Sequence, residues 1–251
     1  MADYAWLDPQ FGVVSAVATF AGAAALLYRS IRRTPRGYRR LVRARELGRH
    51  DVVQRFYRVA WIRHAIMTTL VVVLVAADGG VSRADVGLVL PHGRHIAADW
   101  GWTVYVCVIL ALSTVFLRAR AKRGRSIPGQ RNVVALVARE GERWAAAAVA
   151  VGAGVSEEVV FRGLFTAAAV DLLGLSVGAA VVVVTAVFGL MHLYQGWLGV
   201  LGTAVVGFAL SALYLSSESL LMPMLLHVLI DLRGLVGVPV STGAGAARHR
   251  G

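Results

Sequence analysis

The sequence predicts an all-α fold: a polytopic transmembrane helical bundle of about seven spans, with a catalytic bundle formed by the last four. Three observations predict it. The chain is 57% hydrophobic and only 16% charged, well short of the about 25% charged residues of an ordinary soluble domain. Uncharged apolar runs long enough to cross roughly 30 Å of hydrocarbon recur along it. Pro9 to Tyr28, Trp100 to Leu117, Leu172 to Met191 and Leu193 to Ser217 hold no Asp, Glu, Lys, Arg or His. The basic residues, which give a net charge of +12, gather between these runs.

Taken in order, the first ten residues carry Asp3 and Asp8 and no Lys or Arg. They lack the positive start of a cleaved secretory signal, so the first apolar run reads as a retained span over 11–28. From Arg29 to Arg63 twelve arginines face only Glu46 and Asp51. The stretch from Arg29 to Arg58 predicts a basic amphipathic helix on the inner membrane surface, with Leu41, Val52, Phe56 and Tyr57 facing lipid. The second span, 59–77, is the weakest, because Arg63 and His64 stand near its start, where they would snorkel to the interface. The connection from Asp78 to Asp99 holds three aspartates against Arg83 and Arg94 and reads as the outer side. The third span, 100–117, contains Cys107, the sole cysteine. No intramolecular disulfide is available to it, and it reads as a small packing residue.

From Arg118 to Arg143 eight basic residues stand against Glu140 and Glu142. Arginine clusters placed directly between apolar spans follow the positive-inside rule and attract anionic lipid headgroups. They do not form a folded basic domain, which excludes a nucleic-acid partner. Alternation then puts the N-terminus outside and the C-terminus inside, an arrangement that fits a bacterial inner membrane. Four spans remain, 144–171, 174–192, 197–216 and 219–238. Their joins, Leu173-Gly174, Tyr194-Gln195-Gly196 and Ser216-Ser217-Glu218, are short enough to force antiparallel neighbours. Small residues at Gly199, Thr203 and Gly207 allow close helix approach. The chain therefore divides into a three-span region over 1–143, a compact core over 144–238 and a short basic flexible tail over 239–251.

The core carries ionisable residues where lipid disfavours them. Glu157, Glu158 and Arg162 lie in span four, His192 ends span five, and His227 and Asp231 lie in span seven. Each charge at a bilayer centre costs about 2.5 to 3.5 kcal/mol on insertion scales. Glu158 and Arg162 share a helix face and read as an intrahelical ion pair. Glu157 points about 100° away, which leaves one carboxylate over. A histidine at a span end is often merely interfacial, and His227 with Asp231 can be a simple His–Asp helix pair. Three such clusters on one tight bundle, however, point to groups that face one another or a wet cavity. A buried carboxylate beside histidines can activate water, and further donors can stabilise an oxyanion. Glu157 with His192 and His227 is equally a zinc-ligand set with an open position for water. There is no His-Glu-x-x-His helix, and Ser156 lacks a Gly-x-Ser-x-Gly setting and reads as a local cap or packing residue.

These motifs, Glu157-Glu158-x-x-x-Arg162, Phe188-x-x-x-His192 and His227-x-x-x-Asp231, resemble the signature of the CAAX-protease and bacteriocin-processing (CPBP, or Abi) intramembrane proteases, relatives of the prenyl-protein endopeptidases. The resemblance covers about residues 144–235. It implies an endopeptidase that cleaves near the C-terminus of a peptide or membrane-associated protein. It also implies roles: Glu157 activating water with His192, Glu158 and Arg162 holding the site in shape, and His227 and Asp231 forming or supporting the oxyanion site. An aspartate accepts rather than donates unless protonated, so Asp231 reads as orienting His227. The family is described both as metalloproteases and as metal-free glutamate proteases, and the sequence leaves zinc open. Two other readings are a catalytically silent scaffold or bacteriocin-immunity-type binding protein, and a proton-relaying transporter; the latter lacks repeated halves. One geometric difficulty stands. Alternation puts His192 toward the inner side and His227 in the outer half of its span, so their meeting requires tilted spans, shifted ends, or a re-entrant start to span four at Gly152 and Gly154.

Overall fold

The computed structural model describes residues 4–123 and 133–238. The expected tail over 239–251 and part of the second arginine cluster lie outside the described residues. Among the described residues, eight helices and no strand make up the fold. They are α1 (Val13–Arg32), α2 (Thr34–Glu46), α3 (His50–Ala77), α4 (Ile96–Lys122), α5 (Arg143–Asp171), α6 (Val177–Met191), α7 (Trp197–Ser217) and α8 (Leu221–Leu232). The middle of α5, Glu158–Phe165, winds in wide π turns, and a second π turn, Arg233–Gly237, extends α8.

A helix stands at each of the seven expected spans. Five, α1, α3, α4, α5 and α7, are long and apolar enough to cross a membrane. The other two are short: α6 has 15 residues and α8 has 12. At 1.5 Å per residue α6 measures about 22 Å and α8 about 18 Å before its π extension, less than the roughly 30 Å of hydrocarbon. The end of α6 therefore falls inside the thickness of the bundle. Local chemistry sets those ends. Ser176 caps α6 by accepting the Ala179 N–H, and Gly196, at φ 81°, makes the turn into α7. Outward faces are apolar. On α4 only Asp99 and Thr103 are buried, while Val104, Val108, Leu112 and Phe116 are exposed, as lipid-facing side chains must be. The chain is a multi-pass membrane protein.

The core centres on the π turns of α5. Val159, Phe161 and Leu164 pack with Phe188 of α6, Tyr214 of α7, Leu220 at the head of α8 and Val86 of the α3–α4 connection. That connection is folded inward rather than being a simple outer loop. Val86 is fully buried and its carbonyl lies against Gly163, where a Cβ would come within 2.8 Å. The Leu220 N–H donates to Gly87 O, and Ser219 Oγ donates to Val89 O. At the same end Asp78 accepts from Ser15 Oγ and from the Gly80 and Gly12 N–H groups. Those bonds, the Ser15 one first, hold its carboxyl below the usual carboxylate range. The clasp is therefore intact at neutral pH and is lost only as pH falls through that lowered value.

The basic stretch departs from expectation. It is not one lipid-facing helix but two, α2 and the first turns of α3, broken at Leu47-Gly48-Arg49. Leu41 and Tyr57 face protein, packing with Val53, Ala44, Ala135 and Ala146. A buried ion pair draws them inward. Arg45 Nη1 lies 2.6 Å from Glu142 Oε2. Its Nε and Nη2 donate to Ala135 O, Val137 O and Tyr57 Oη. Every arm of this guanidinium is satisfied, so its burial is tolerated, and Glu142 ties the start of α5 to α2. Removing one partner of a buried pair strands the other charge. Glu142→Gln is expected to lower unfolding free energy by about 3 to 5 kcal/mol, measurable by denaturation in detergent; an unchanged melting curve contradicts this role.

Candidate active site

Glu157 and Glu158 enter where α5 passes from α geometry into π turns. Such turns are rare and gather at functional sites. Here the wider winding is accompanied by Thr166 Oγ1 donating to Phe161 O, five residues back, at 3.1 Å. The helix does not re-enter at Gly152 and Gly154. It runs continuously from Arg143 to Asp171, and the glycines serve packing. A Cβ on Gly154 would lie 2.7 Å from the Val228 backbone N, so only glycine lets α5 and α8 approach this closely. A Cβ on Gly152 would lie 3.1 Å from His64 Cβ of α3. Helices α3 and α8 are thus pressed against the two sides of the glutamate-bearing helix.

That approach delivers His227. Its Nδ1 lies 2.6 Å from Glu158 Oε1, and because a carboxylate oxygen accepts, Nδ1 carries the proton and donates. The same oxygen lies 3.1 Å from Arg162 Nη1. One carboxylate oxygen therefore holds both the arginine and the histidine. Glu158 and Arg162 are 0% and 1% exposed. The guanidinium carbon sits 4.3 Å above the Phe188 ring, and Gly207 of α7 leaves room for Nη2. The other face of the imidazole looks elsewhere. Nε2 lies 3.8 Å from Glu157 Oε2 and 3.9 Å from Asp231 Oδ2. The near partner that orients His227 is Glu158, across the helix interface, rather than Asp231 one turn along its own helix.

Exposure separates the carboxylates. The Glu158 side chain is sealed, whereas Glu157 is 18% and Asp231 30% exposed. Only the latter two can meet water or a substrate.

His192 joins them because α6 is short. It ends that helix inside the bundle, with Nδ1 donating to Phe188 O at 2.9 Å, which makes Nε2 the acceptor of the neutral ring. Phe188 is the common wall: its ring centroid lies 4.9 Å from His192, 6.2 Å from His227 and 5.0 Å from Phe161. Glu157 lies within electrostatic reach of His192, His227, His64 and Arg63. All six residues named from the sequence, Glu157, Glu158, Arg162, His192, His227 and Asp231, thus belong to one neighbourhood, and the apparent conflict of level between His192 and His227 disappears.

Three neighbours were missed. His64 does not snorkel; it is 3% exposed and its Nδ1 lies 2.7 Å from Ser156 Oγ. Arg63 Nη2 lies 2.8 Å from His64 Nε2. A guanidinium only donates, so Nε2 accepts and the proton sits on Nδ1, facing Ser156. Tyr194, in the 3₁₀ turn Leu193–Gln195, lies with its ring 6.0 Å from His192 and within reach of the charges of Glu157 and Asp231. The first two were missed because the span was read from residue 59, whereas α3 starts at His50, which places Arg63 about 20 Å along it.

The zinc alternative has a geometric test. Among the described residues, no three His, Cys, Asp or Glu side chains are grouped as a metal site. Glu157, His192 and His227 do not form such a set here.

Residues 139–233 match the family model described as Rce1-like, type II CAAX prenyl endopeptidase. The matched segment contains all six site residues, and over it the chain resembles the CAAX-protease and bacteriocin-processing proteases, as its motifs indicate. The match covers less than half of the chain. No curated protein and no solved structure matched.

The α5–α8 approach is directly testable. Gly154→Ala is expected to push the helices apart, at a cost of about 1 to 3 kcal/mol, and to depress activity on the order of 100-fold through misplacement of His227. Gly22→Ala, where a Cβ meets nothing within 4 Å, is expected to do neither. Equal behaviour of the two variants contradicts the packing role.

Proposed function

We propose that the chain is an intramembrane endopeptidase that hydrolyses a peptide bond near the C-terminus of a peptide or membrane-associated protein, with water activated by Glu157 and His192. The observation that carries this reading is the unequal fate of two adjacent carboxylates. Glu158 is sealed, with one oxygen holding Arg162 and His227, while Glu157 beside it stays accessible and lies 3.8 Å from His227 Nε2. The match to a protease family supports the same reading.

Chemically, Glu157 takes a proton from the attacking water as it adds to the scissile carbonyl. The His192 Nε2, free because Nδ1 is anchored to Phe188 O, shares or relays that proton toward the leaving amine. His227 has Nδ1–H committed to Glu158, and a proton on Nε2 makes it a donor to the developing oxyanion. Asp231 flanks that nitrogen and keeps the pocket polar. Glu158 and Arg162 position His227 and do not touch substrate. The arginine-rich connections support a topology with α2 on the inner side and the N-terminus outside.

Purified protein in detergent, incubated with a quenched peptide library, tests the assignment. Glu157→Ala and His192→Ala are each expected to reduce cleavage by about 10²- to 10⁴-fold. Equal cleavage by both variants and wild type contradicts it. Because the donors are not grouped as a metal site, a zinc chelator is expected to leave the wild-type rate unchanged; loss of activity restored by added zinc contradicts the metal-free chemistry.

A further inference from the structure

Away from the glutamates, near the starts of α3 and α5, these two helices leave a cleft of about 420 Å³ between them. Arg55, Arg58 and Trp61 of α3 line one side, and Ala145 and Ala148 of α5 line the other. The sequence dictates this shape. Positions 51, 54, 55, 58 and 61 follow one another at short helical steps and share a face of α3, while the two alanines leave the facing wall hollow. Farther along, the helices close. A Cβ on Gly152 would lie 3.6 Å from Trp61 Cδ1, so Trp61 marks the deep end of the cleft.

The charge in this cleft is unspent. Among the described residues neither Arg55 nor Arg58 makes an ion pair or a side-chain hydrogen bond. Asp51 at the rim does not neutralise them, because its two oxygens accept from Arg49 Nε and Nη2 at 3.0 Å each. Glu142, just before α5, is consumed by Arg45. No side chain caps the start of α5, so the positive end of that helix adds to the field beside Ala145. Two uncommitted guanidiniums at such a place suit a phosphate.

The surroundings say what carries the phosphate. Trp61 is 47% exposed, and Trp144, next to Ala145, is 92% exposed. Tryptophans held outward beside arginines mark the headgroup level of a bilayer. The same turns expose Val59 and Ile62 of α3, and Val151 is exposed farther along α5, an apolar surface suited to acyl chains. A soluble anion has no use for it.

We infer that the cleft between α3 and α5 binds one anionic glycerophospholipid, with Arg55 and Arg58 holding its phosphate, Trp61 and Trp144 bordering its ester region, and its chains leaving over the exposed apolar turns. The lipid bridges the two helices that press His64 against Ser156, and so clamps the helix that bears the glutamates. The site stands whatever reaction the glutamates perform.

The test uses the full chain, delipidated in a neutral detergent, with phosphatidylglycerol or phosphatidylcholine of the same acyl chains. Native mass spectrometry counts bound lipid, and tryptophan fluorescence follows melting. Wild type is expected to retain phosphatidylglycerol about 10- to 30-fold better than phosphatidylcholine and to melt several degrees higher with it. Arg55→Gln combined with Arg58→Gln is expected to bring that ratio near one and to abolish the melting increment. Arg36→Gln combined with Arg39→Gln, on the exposed face of α2, is expected to keep both. If the α3 variant fails to fold, Ala148→Leu decides, because it fills the cleft, leaves both arginines in place and is expected to lose the preference. A wild-type ratio near one overturns the inference. So does an α2 variant that loses the preference as fully as the α3 variant, which marks diffuse attraction. Glycerol 3-phosphate alone giving the full melting increment overturns it too, in favour of a soluble anion.

Discussion

One oxygen atom organises the site. Glu158 Oε1 receives the His227 Nδ1–H at 2.6 Å and faces Arg162 Nη1 at 3.1 Å, in surroundings sealed from solvent. A carboxylate there is tolerated only because a charge and a donor reach it from two directions, and those directions come from two helices. Much else serves that meeting. Gly154 admits the α8 backbone, Gly207 admits the guanidinium, and Phe188 covers its face. Even so, Glu158 Oε2 and both Arg162 terminal nitrogens lack hydrogen-bond partners among the described residues. Burying this pair carries a desolvation cost that its two contacts offset only in part.

Fixing Glu158 frees its neighbour. Adjacent carboxylates on a helix cannot share one environment, because successive side chains diverge around the axis. Here one points into the α5–α8 interface, and the other lies 3.8 Å from His227 Nε2 and within electrostatic reach of His192. His227 links the two through its opposite nitrogens, so the buried carboxylate orients the ring that the accessible one works beside. The arrangement has the geometry that a base–orienter pair would need, assembled across a helix interface.

The helices and the six ionisable residues were legible in the sequence because both signals are local: apolar runs of membrane length, and charges where lipid disfavours them. What was not legible depends on distance through space or on exact helix length. The partner of His227 is Glu158, 69 residues away in sequence, and not Asp231 four residues on. His192 reaches the site because α6 stops short of a full span, a matter of a few residues that periodicity does not resolve. Leu41 and Tyr57 have the pattern of lipid-facing residues yet pack inward, because Arg45 finds Glu142 across 97 positions. The π turns of α5 leave no mark in composition at all.

The division of labour between Glu157 and Glu158 is best tested by melting temperature and turnover measured side by side on Glu157→Gln and Glu158→Gln. Glutamine keeps the shape and removes the charge. If Glu158 is the structural carboxylate and Glu157 the chemical one, Glu158→Gln melts several degrees lower, whereas Glu157→Gln melts with wild type and has lost turnover. A Glu157→Gln protein that still turns over, or that melts as low as its neighbour's variant, contradicts that division.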